Sequence, residues 1–282
     1  MLDLYVQNKN SIKALGSALR IAIANANNFN TPGYKYTFAS FTTMYTKAIF
    51  GGTETKNPVE VGSGMQLGST STDFTQGNLG LGTNMDLAIV GEGFFNISSN
   101  ANEIEPSSPL YTRSGRFMVD SSNTYIVDPF GRKLFGFPVD ANGNITSTAM
   151  EAIQTKNYSS VAFQDGGVLV GDPDSENPVP LYKVAVATVQ NKQGLVSTTG
   201  GAYKTTISSG EAFTAKTSGD AIGTDSTNTY GELFTESIES ANVDVSKVAL
   251  DMSLLNRGFS ANNAVVDDIT KIISEFIKKI GG

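Results

Sequence analysis

The sequence predicts an α+β protein in which long N- and C-terminal helices form a coiled-coil domain, with an extended arm and an all-β domain between them. Three observations support this class. Apolar residues recur every three or four positions at both ends of the chain, β-branched and aromatic runs fill the middle, and turn residues separate those runs. The chain has 282 residues and is 39% hydrophobic, which is enough for a buried core and about two domains.

The C-terminal segment carries the longest regular pattern in the chain. A period of 3.5 residues is typical of a helix that supercoils along a partner. At about 1.5 Å per residue, the segment from Asp244 to Ile280 spans roughly 55 Å, which is long for a globular core helix, the alternative interpretation. One polar residue, Asn262, interrupts the seam, and we predict that it sets helix register. The seam comprises Val245, Val248, Met252, Leu255, Phe259, Asn262, Val266, Ile269, Ile273, Phe276 and Ile280.

The N-terminal segment has the same spacing over a shorter length. Its seam comprises Tyr5, Asn8, Ile12, Leu15, Leu19, Ala22 and Ala26. The helix is expected to stop within residues 27–33, because Pro32 disfavours helical backbone at Thr31 and Gly33 can supply a positive φ. Both helices carry further apolar residues off the seam, which favours an assembly of several helices. These residues are Ile21, Ile23, Ala249, Leu254, Val265, Ile272 and Ile277.

The middle of the chain predicts β structure. The candidate strand runs are 85–97, 111–119, 125–139, 161–170 and 181–190, with tight turns at Asn142-Gly143 and Asp165-Gly166. Residues 100–109 and 172–180 are predicted to be surface loops. We therefore divide the chain into an N-terminal helix (1–30), an extended arm with a hairpin or loop (31–78), a β-rich domain (79–212), a connector (213–240) and a C-terminal helix (241–282).

The composition excludes several classes of function. Cysteine and histidine are both absent, which removes disulfides, Ser-His and Cys-His catalysis and the usual zinc ligands. The net charge of −7 disfavours a nucleic-acid or anionic-membrane partner. The first ten residues lack a basic start followed by an apolar run, so we expect no cleaved secretory signal peptide.

A few short motifs offer alternatives, each with a simpler structural explanation. Gly91 and Gly93 form a GxG without the third glycine of a nucleotide loop, and a turn explains them. The acidic loops at 140–144 and 172–176 resemble calcium loops only in part. Paired carboxylates for glycoside hydrolysis would come from Asp86, Glu92, Asp120 and Asp128. We expect no catalytic, cofactor-binding or metal-binding residues and no small-molecule substrate; a cell-wall glycosidase or a stalked adhesin remains the alternative of another class.

Several motifs follow one another along the chain. They are 23–35 (IANANNFNTPGYK), 73–77 (DFTQG), 86–95 (DLAIVGEGFF), 111–117 (YTRSGRF), 128–136 and 240–245 (SANVDV). Taken together and in this order, they resemble the bacterial flagellar axial family of rod and hook proteins. The residues that carry the resemblance include Asn25, Asn28, Asn30, Thr31, Pro32, Gly33, Tyr34, Asp86, Gly91, Gly93, Phe94 and Phe95. Ala24, Asn27 and the residues 82–84 depart from the family pattern.

The resemblance implies a structural role without an enzyme activity or a cofactor. It implies terminal helices that form the inner coiled-coil wall of a helical homopolymer, with the β domain outside and the arm packed between subunits. It also implies neighbouring rod and hook proteins as partners, unfolded export through the flagellar type III apparatus, and a place in the basal body, spanning the periplasm. The length favours a rod protein, and the inserted segment 45–61 favours the distal rod; proximal rod and short hook proteins are the alternatives.

Overall fold

The structure is a computed structural model that describes residues 2–44, 46–50, 59–62, 64–98, 108–122, 124–147, 149–156, 158, 160–214, 224–225 and 228–280. The chain folds as two compact units. The terminal unit consists of Met1–Phe29, Tyr36–Asp73 and Val243–Gly282, and the β unit consists of Asn30–Lys35 and Phe74–Asn242. The chain therefore passes between the units at four points, a feature that the sequence pattern does not reveal.

The terminal unit contains two helices and two antiparallel strand pairs. Its elements are α1 (Leu2–Asn27), β1 (Thr37–Thr43), β2 (Thr46–Phe50), β3 (Val59–Gly62), β4 (Met65–Thr72) and α2 (Val245–Ile280). Strand β1 pairs with β4, with a register shift between Ser40 and Phe41, and β2 pairs with β3. Helix α2 begins after Asp244, whose Oδ1 accepts hydrogen bonds from the Ser246 amide (2.8 Å) and the Lys247 amide (3.2 Å), as an N-cap does.

The β unit contains the remaining strands and one short 3₁₀-helix at Lys192–Gly194. The strands are β5 (Leu79–Leu81), β6 (Leu87–Val90), β7 (Phe94–Ile97), β8 (Leu110–Thr112), β9 (Met118–Val119), β10 (Ile126–Val127), β11 (Phe135–Pro138), β12 (Glu151–Ala152), β13 (Val161–Gln164), β14 (Val168–Gly171), β15 (Val179–Val184), β16 (Val186–Val189), β17 (Val196–Thr198), β18 (Ala202–Lys204), β19 (Ala212–Thr214), β20 (Thr224–Asp225), β21 (Asn228–Thr229), β22 (Glu232–Thr235) and β23 (Ser237–Glu239).

Two larger sheets organise this unit. One has five strands in the order β12-β11-β15-β14-β13, and the other has six in the order β17-β18-β8-β7-β16-β19. Strands β6 and β22 pair with each other, as do β5 and β23. One apolar core joins the sheets, since it includes Phe95 and Ile97 of the six-stranded sheet and Leu169, Leu181 and Val184 of the five-stranded sheet.

The long terminal helices and the β-rich middle confirm the predicted α+β class. Helix α1 ends at Asn27, at the start of the predicted stop, and Gly33 has a φ of 68°. The predicted run 85–97 differs, because it forms two strands with different partners. Gly91 and Gly93, with φ of 100° and 140°, turn the chain between β6 and β7. The run 181–190 likewise divides between the two sheets at Ala185.

The unit boundaries also differ from the predicted division. Asn30, assigned to the N-terminal helix, and residues 31–35 and 74–78, assigned to the arm, belong to the β unit. The predicted connector 213–240 contains β22 and β23, which pair with β6 and β5. Strand pairing with distant partners is invisible in a local composition of polar and glycine residues. The predicted loop at 100–109 and the inserted segment at 45–61 lie partly outside the described residues.

Candidate assembly site

The predicted seam of α2 lies on the covered side of the helix. Val248 and Ile269 are buried, and Met252, Leu255, Phe259, Asn262, Val266 and Ile273 are half-buried, whereas Val245, Phe276 and Ile280 near the helix ends are exposed. Side chains that share one stripe are covered because a single partner surface lies along them. In the terminal unit this partner includes α1, so the two helices pair within one chain.

Small residues bring α1 close to α2. Ala14, Leu15, Ala18 and Ala22 are buried in α1, Leu19 and Ile12 are half-buried, and a Cβ added to Gly258 would lie 3.5 Å from the Leu15 methyl groups. Similarly, a Cβ on Gly16 would lie 3.8 Å from the Phe259 ring. Both distances are ordinary van der Waals contacts.

We expect Gly258→Ala to stabilise the terminal unit. The added methyl group fits against Leu15 without a clash, and alanine is favoured over glycine in a helix interior by up to about 1 kcal/mol. Gly16→Ala should give a similar gain. Gly258→Leu should instead destabilise the unit by about 1–3 kcal/mol through overpacking. Thermal unfolding followed by circular dichroism at 222 nm distinguishes these cases, and equal stability of the Ala and Leu variants at 258 contradicts the close helix contact.

A second stripe of α2 is exposed. Leu250, Leu254, Val265, Ile272 and Phe276 have 60, 56, 42, 50 and 61% of their surface accessible, and Ala261 between them is also exposed. We call these six residues the outer stripe; Phe276, near the end of the helix, also belongs to the predicted seam. Its positions repeat after eleven residues, a spacing close enough to the 3.6-residue helical period that the stripe runs nearly straight along the helix. Of the predicted off-seam residues, Ile23, Ala249 and Ile277 are also exposed, and Ile21 is half-buried.

A groove of about 480 Å³ adjoins the outer stripe within the terminal unit. It is lined by α1, by β1 and by the first turns of α2, and its apolar wall includes Phe38, Phe41 and Leu254. At its polar wall the Tyr36 hydroxyl donates to Asp251 Oδ2 over 3.0 Å, and Lys247 Nζ lies 4.7 Å from the centre of the Tyr36 ring. Burial, followed by this hydrogen bond and the charge of Asp251, raises the pKa of Tyr36 to about 12.

Two of the motif asparagines form local hydrogen bonds at the end of α1. Asn25 is buried; its Nδ2 donates to the Thr37 carbonyl (2.6 Å), and its Oδ1 accepts from the Thr37 amide (3.0 Å). The Asn25 side chain therefore forms with Thr37, the first residue of β1, the pair of hydrogen bonds that a neighbouring strand would otherwise form. Asn28 Nδ2 donates to the Ala24 carbonyl over 2.8 Å, in the last turn of the helix.

The remaining motif residues gather within the β unit. Thr31 and Tyr34 close a turn around Pro32 and Gly33, with the Tyr34 amide 3.2 Å from the Thr31 carbonyl, and Asn30 lies exposed just before it. Burial raises the pKa of Tyr34. Phe94 packs edge-on against Phe74 and Tyr203, and Phe95 packs edge-on against Phe117. The phenylalanine pair therefore serves two cores on opposite faces of β7, as alternation in a strand requires.

A buried ionic cluster lies among these motifs and was not predicted from the sequence. Lys35 Nζ lies 2.6 Å from Glu239 Oε1, and Arg113 Nη1 lies 3.5 Å from Glu239 Oε2. Arg113 also donates to the carbonyls of Ile89 and Gly91, and burial lowers its pKa while Glu239 opposes that shift. Lys35 and Arg113 stand inside the quoted motifs, but isolated charged residues in a sequence are usually exposed, so no pattern marked them as buried.

The four carboxylates considered for catalysis each have a local structural partner. Asp86 Oδ2 accepts from the Thr83 amide and hydroxyl (2.8 and 3.1 Å), and its Oδ1 is 3.7 Å from Arg116. Asp128 pairs with Arg132 at 2.6 Å, and Glu92 pairs with Lys192. Asp120 Oδ1 accepts from the Thr124 and Tyr125 amides; against the effect of burial, these bonds and that of Ser122 lower its pKa. These contacts give each of the four carboxylates a structural role.

The acidic loop at 140–144 is a hydrogen-bonded turn. Asp140 Oδ1 accepts from the amides of Asn142 and Asn144, each over 2.9 Å, and Gly143 has a φ of 79°. This agrees with the hairpin interpretation of that motif. Within the part of the chain that the structure describes, no group of three or more acidic side chains is arranged to hold a metal ion, and no helix is long and apolar enough to cross a membrane.

Comparison with known proteins gives relatives over most of the chain. No family model matches the sequence. The flagellar basal-body rod protein FlgG of Bacillus subtilis is 27% identical over 261 residues, which cover 90% of this chain and 89% of the relative. FlgG of Agrobacterium fabrum is 27% identical over 273 residues, or 92% of this chain and 94% of the relative.

Flagellar hook proteins match a shorter part. FlgE of Helicobacter mustelae is 36% identical over 119 residues, which cover 39% of this chain and 25% of the relative. FlgE of Escherichia coli is 26% identical over 134 residues, or 48% of this chain and 31% of the relative. The FlgG matches cover about nine-tenths of this chain, whereas the hook matches cover less than half of it. The chain is therefore similar to flagellar rod and hook proteins and, over most of its length, to the rod protein FlgG.

Proposed function

We propose that the protein is a structural subunit of the flagellar basal-body rod, which polymerises helically into a tube that transmits torque across the cell envelope. The observation that carries this proposal is the similarity to FlgG over about nine-tenths of both chains. The rod function agrees with the composition, because a scaffold needs neither the histidine nor the cysteine that this chain lacks.

The outer stripe is the proposed contact between subunits. Its five large side chains are 42–61% exposed in one chain, and burying each one fully is worth about 1.5–3 kcal/mol. A second copy of the chain would cover this surface, with α1 and α2 forming the inner coiled-coil wall of the tube. The β unit would lie outside, and the hairpin of β1 and β4 would pack between neighbouring subunits.

The proposed partners follow from this placement. They are further copies of the chain, neighbouring rod and hook proteins, and the flagellar type III export apparatus, with a location in the basal body across the periplasm. No cofactor enters this function.

Electron microscopy of the purified full-length protein tests the proposal. We expect straight tubes under conditions that favour assembly. Curved tubes would support the short hook protein, the second candidate, which the partial FlgE similarity favours. Persistent monomers at high concentration would contradict both.

A deletion variant and four single substitutions separate this function from those of other classes. Deleting residues 1–30 and 241–282 should abolish polymerisation; an adhesin would retain ligand binding after that deletion. When Asp86, Glu92, Asp120 and Asp128 are substituted one at a time, we expect no loss of a hydrolytic activity relative to the unmodified protein. Loss of cell-wall hydrolysis in one of these variants, with assembly intact, would support the glycosidase.

Asn262 remains the candidate for setting helix register. Its side chain is half-buried, and Nδ2 donates to the Gly258 carbonyl of its own helix over 2.8 Å, so its amide needs no bond from another helix in the single chain. We expect Asn262→Leu to retain helix content and to give polymers of altered order, because an apolar seam residue tolerates more than one register. Diffraction from electron micrographs measures the order, and identical patterns for both proteins would rule out the register role.

A further inference from the structure

One buried carboxylate lies where three segments of the chain meet. The chain leaves the terminal unit after Phe29, returns at Tyr36, leaves again after Asp73 and returns at Val243. The β-unit segments next to these crossings are residues 30–35, 74–78 and 239–242, which we call the connecting segments. All three are fastened to one another within the β unit.

Glu239 supplies most of these connections. Its carbonyl accepts from the Gly33 amide over 2.8 Å, and its Oε1 accepts from Lys35 Nζ over 2.6 Å and from the Gly77 amide over 2.9 Å. Lys35 Nζ also donates to the Thr75 carbonyl over 2.7 Å. One residue of the last segment therefore holds both of the others.

Asn242 completes the set. Its amide donates to the Tyr34 carbonyl over 3.3 Å, and its Nδ2 donates to the Thr75 carbonyl over 3.0 Å. The segments are far apart in the sequence, with 204 positions between Lys35 and Glu239. Contacts of this kind form only when the end of the β unit has come back to its beginning.

The ionic groups are removed from water. The side chains of Lys35 and Glu239 have 0% of their surface exposed and that of Arg113 has 4%. Glu239 Oε2 accepts no hydrogen bond from the described residues, and the guanidinium of Arg113 faces it. A buried ion pair is weak evidence for a stabilising role, because well-packed apolar residues often replace it without loss. Its geometry here points to a positional role.

We propose that Glu239, Lys35 and Arg113 form a clamp that makes the three connecting segments one rigid element instead of three independent linkers. Arg113 extends the clamp to the turn between β6 and β7, since it donates to the carbonyls of Ile89 and Gly91. Gln76 reaches the same turn, where its Nε2 donates to the Ile89 carbonyl and its Oε1 accepts from the Gly91 amide. The clamp acts within a single chain, so its test does not require polymers.

Hydrogen exchange of the full-length protein measures the clamp at its own amides. Glu239→Ala should accelerate exchange at Gly77 about tenfold or more, the change expected when a buried hydrogen bond to a charged group is lost. Glu239→Ala and Lys35→Met should both accelerate exchange at Gly33, Gly77 and Asn242, because the connecting segments then open independently of one another. Exchange in β13, β14 and β15 should stay unchanged. Glu239→Gln, which keeps an acceptor oxygen for Gly77, should give an intermediate increase and serves where the Ala variant does not fold.

Asp128→Asn is the matched control. Asp128 is also buried and ion-paired in the β unit, but among the described residues its side chain bonds to its own neighbourhood, accepting from the amides of Phe130 and Arg132 over 2.9 Å each. Its substitution should accelerate those two amides and leave the connecting segments protected. The clamp is overturned if Lys35→Met and Glu239→Gln leave the connecting amides unchanged. It is equally overturned if those amides accelerate only together with β13–β15, or if Asp128→Asn frees them.

Discussion

A chain that carries Leu254→Glu together with Ile272→Glu is expected to fold normally and to fail to polymerise. Both residues belong to the outer stripe, and they are 56 and 50% exposed, so a charged side chain at either position can reach water in the single chain. Glutamate is also a good helix former, and α2 should keep its helix content. These two positions are surrounded by apolar side chains only when another subunit covers them.

The expected effect is large because two terms add. Both side chains are already about half covered in the single chain, so each one lost removes roughly half of the about 1.5–3 kcal/mol that complete burial is worth. Each glutamate must also either lose its hydration or prevent closure of that contact. A loss of at least about 3 kcal/mol raises the critical concentration for assembly roughly 100-fold or more. Light scattering over a concentration series measures that threshold.

Ser253→Glu together with Ser274→Glu is the matched control. Both serines are exposed on α2, and the variant adds the same two charges to the same helix without removing an apolar side chain. We expect it to assemble at nearly the concentration of the unmodified protein. Equal inhibition by the two double variants would mean that added negative charge, and not the outer stripe, controls assembly.

The covered and exposed faces of α2 could be predicted from the sequence, because helix packing depends on a local pattern of residues. The seam of α2 is covered at every inner position from Val248 to Ile273, and the off-seam residues Leu254, Val265 and Ile272 are exposed. Both results follow from a period of three to four residues, which depends on the geometry of one helix alone.

The β unit was predictable only in part because strand pairing is not local. The apolar runs mark where strands lie, but nothing in residues 232–239 indicates pairing with β6 and β5, about 150 residues earlier in the chain. The split of run 85–97 depends on positive φ at Gly91 and Gly93, and glycine permits such angles without requiring them.

The clamp was the least predictable feature. In the sequence, isolated charged residues such as Lys35, Arg113 and Glu239 are expected to be exposed to water. The fold brings these three together and buries them. Lys35 and Arg113 lie within the motifs that resemble those of flagellar rod and hook proteins, but that resemblance assigned them no role. Identifying a buried carboxylate between them required the coordinates of all three segments.

The first of these segments also holds the substitution with the largest expected effect on stability. Gly33→Ala should destabilise the β unit by at least about 3 kcal/mol, at the upper end for a single substitution. Gly33 has a φ of 68°, which costs an alanine about 1–2 kcal/mol. The added Cβ would also lie 2.3 Å from the Ser114 nitrogen and 2.4 Å from the Arg113 carbonyl carbon. Backbone atoms cannot rotate away from such a clash as a side chain can.

Gly143→Ala separates the two causes. Gly143 has a similar φ of 79° but no atom within 4 Å of an added Cβ, so alanine there meets the backbone cost alone, about 1–2 kcal/mol. Chemical denaturation followed by near-ultraviolet circular dichroism of the ten tyrosines compares the variants. A larger loss for Gly33→Ala by about 2 kcal/mol or more assigns the excess to the close approach of residues 113–114. Equal losses would mean that the segment 30–35 can move away from these residues, which would contradict its tight packing in the β unit.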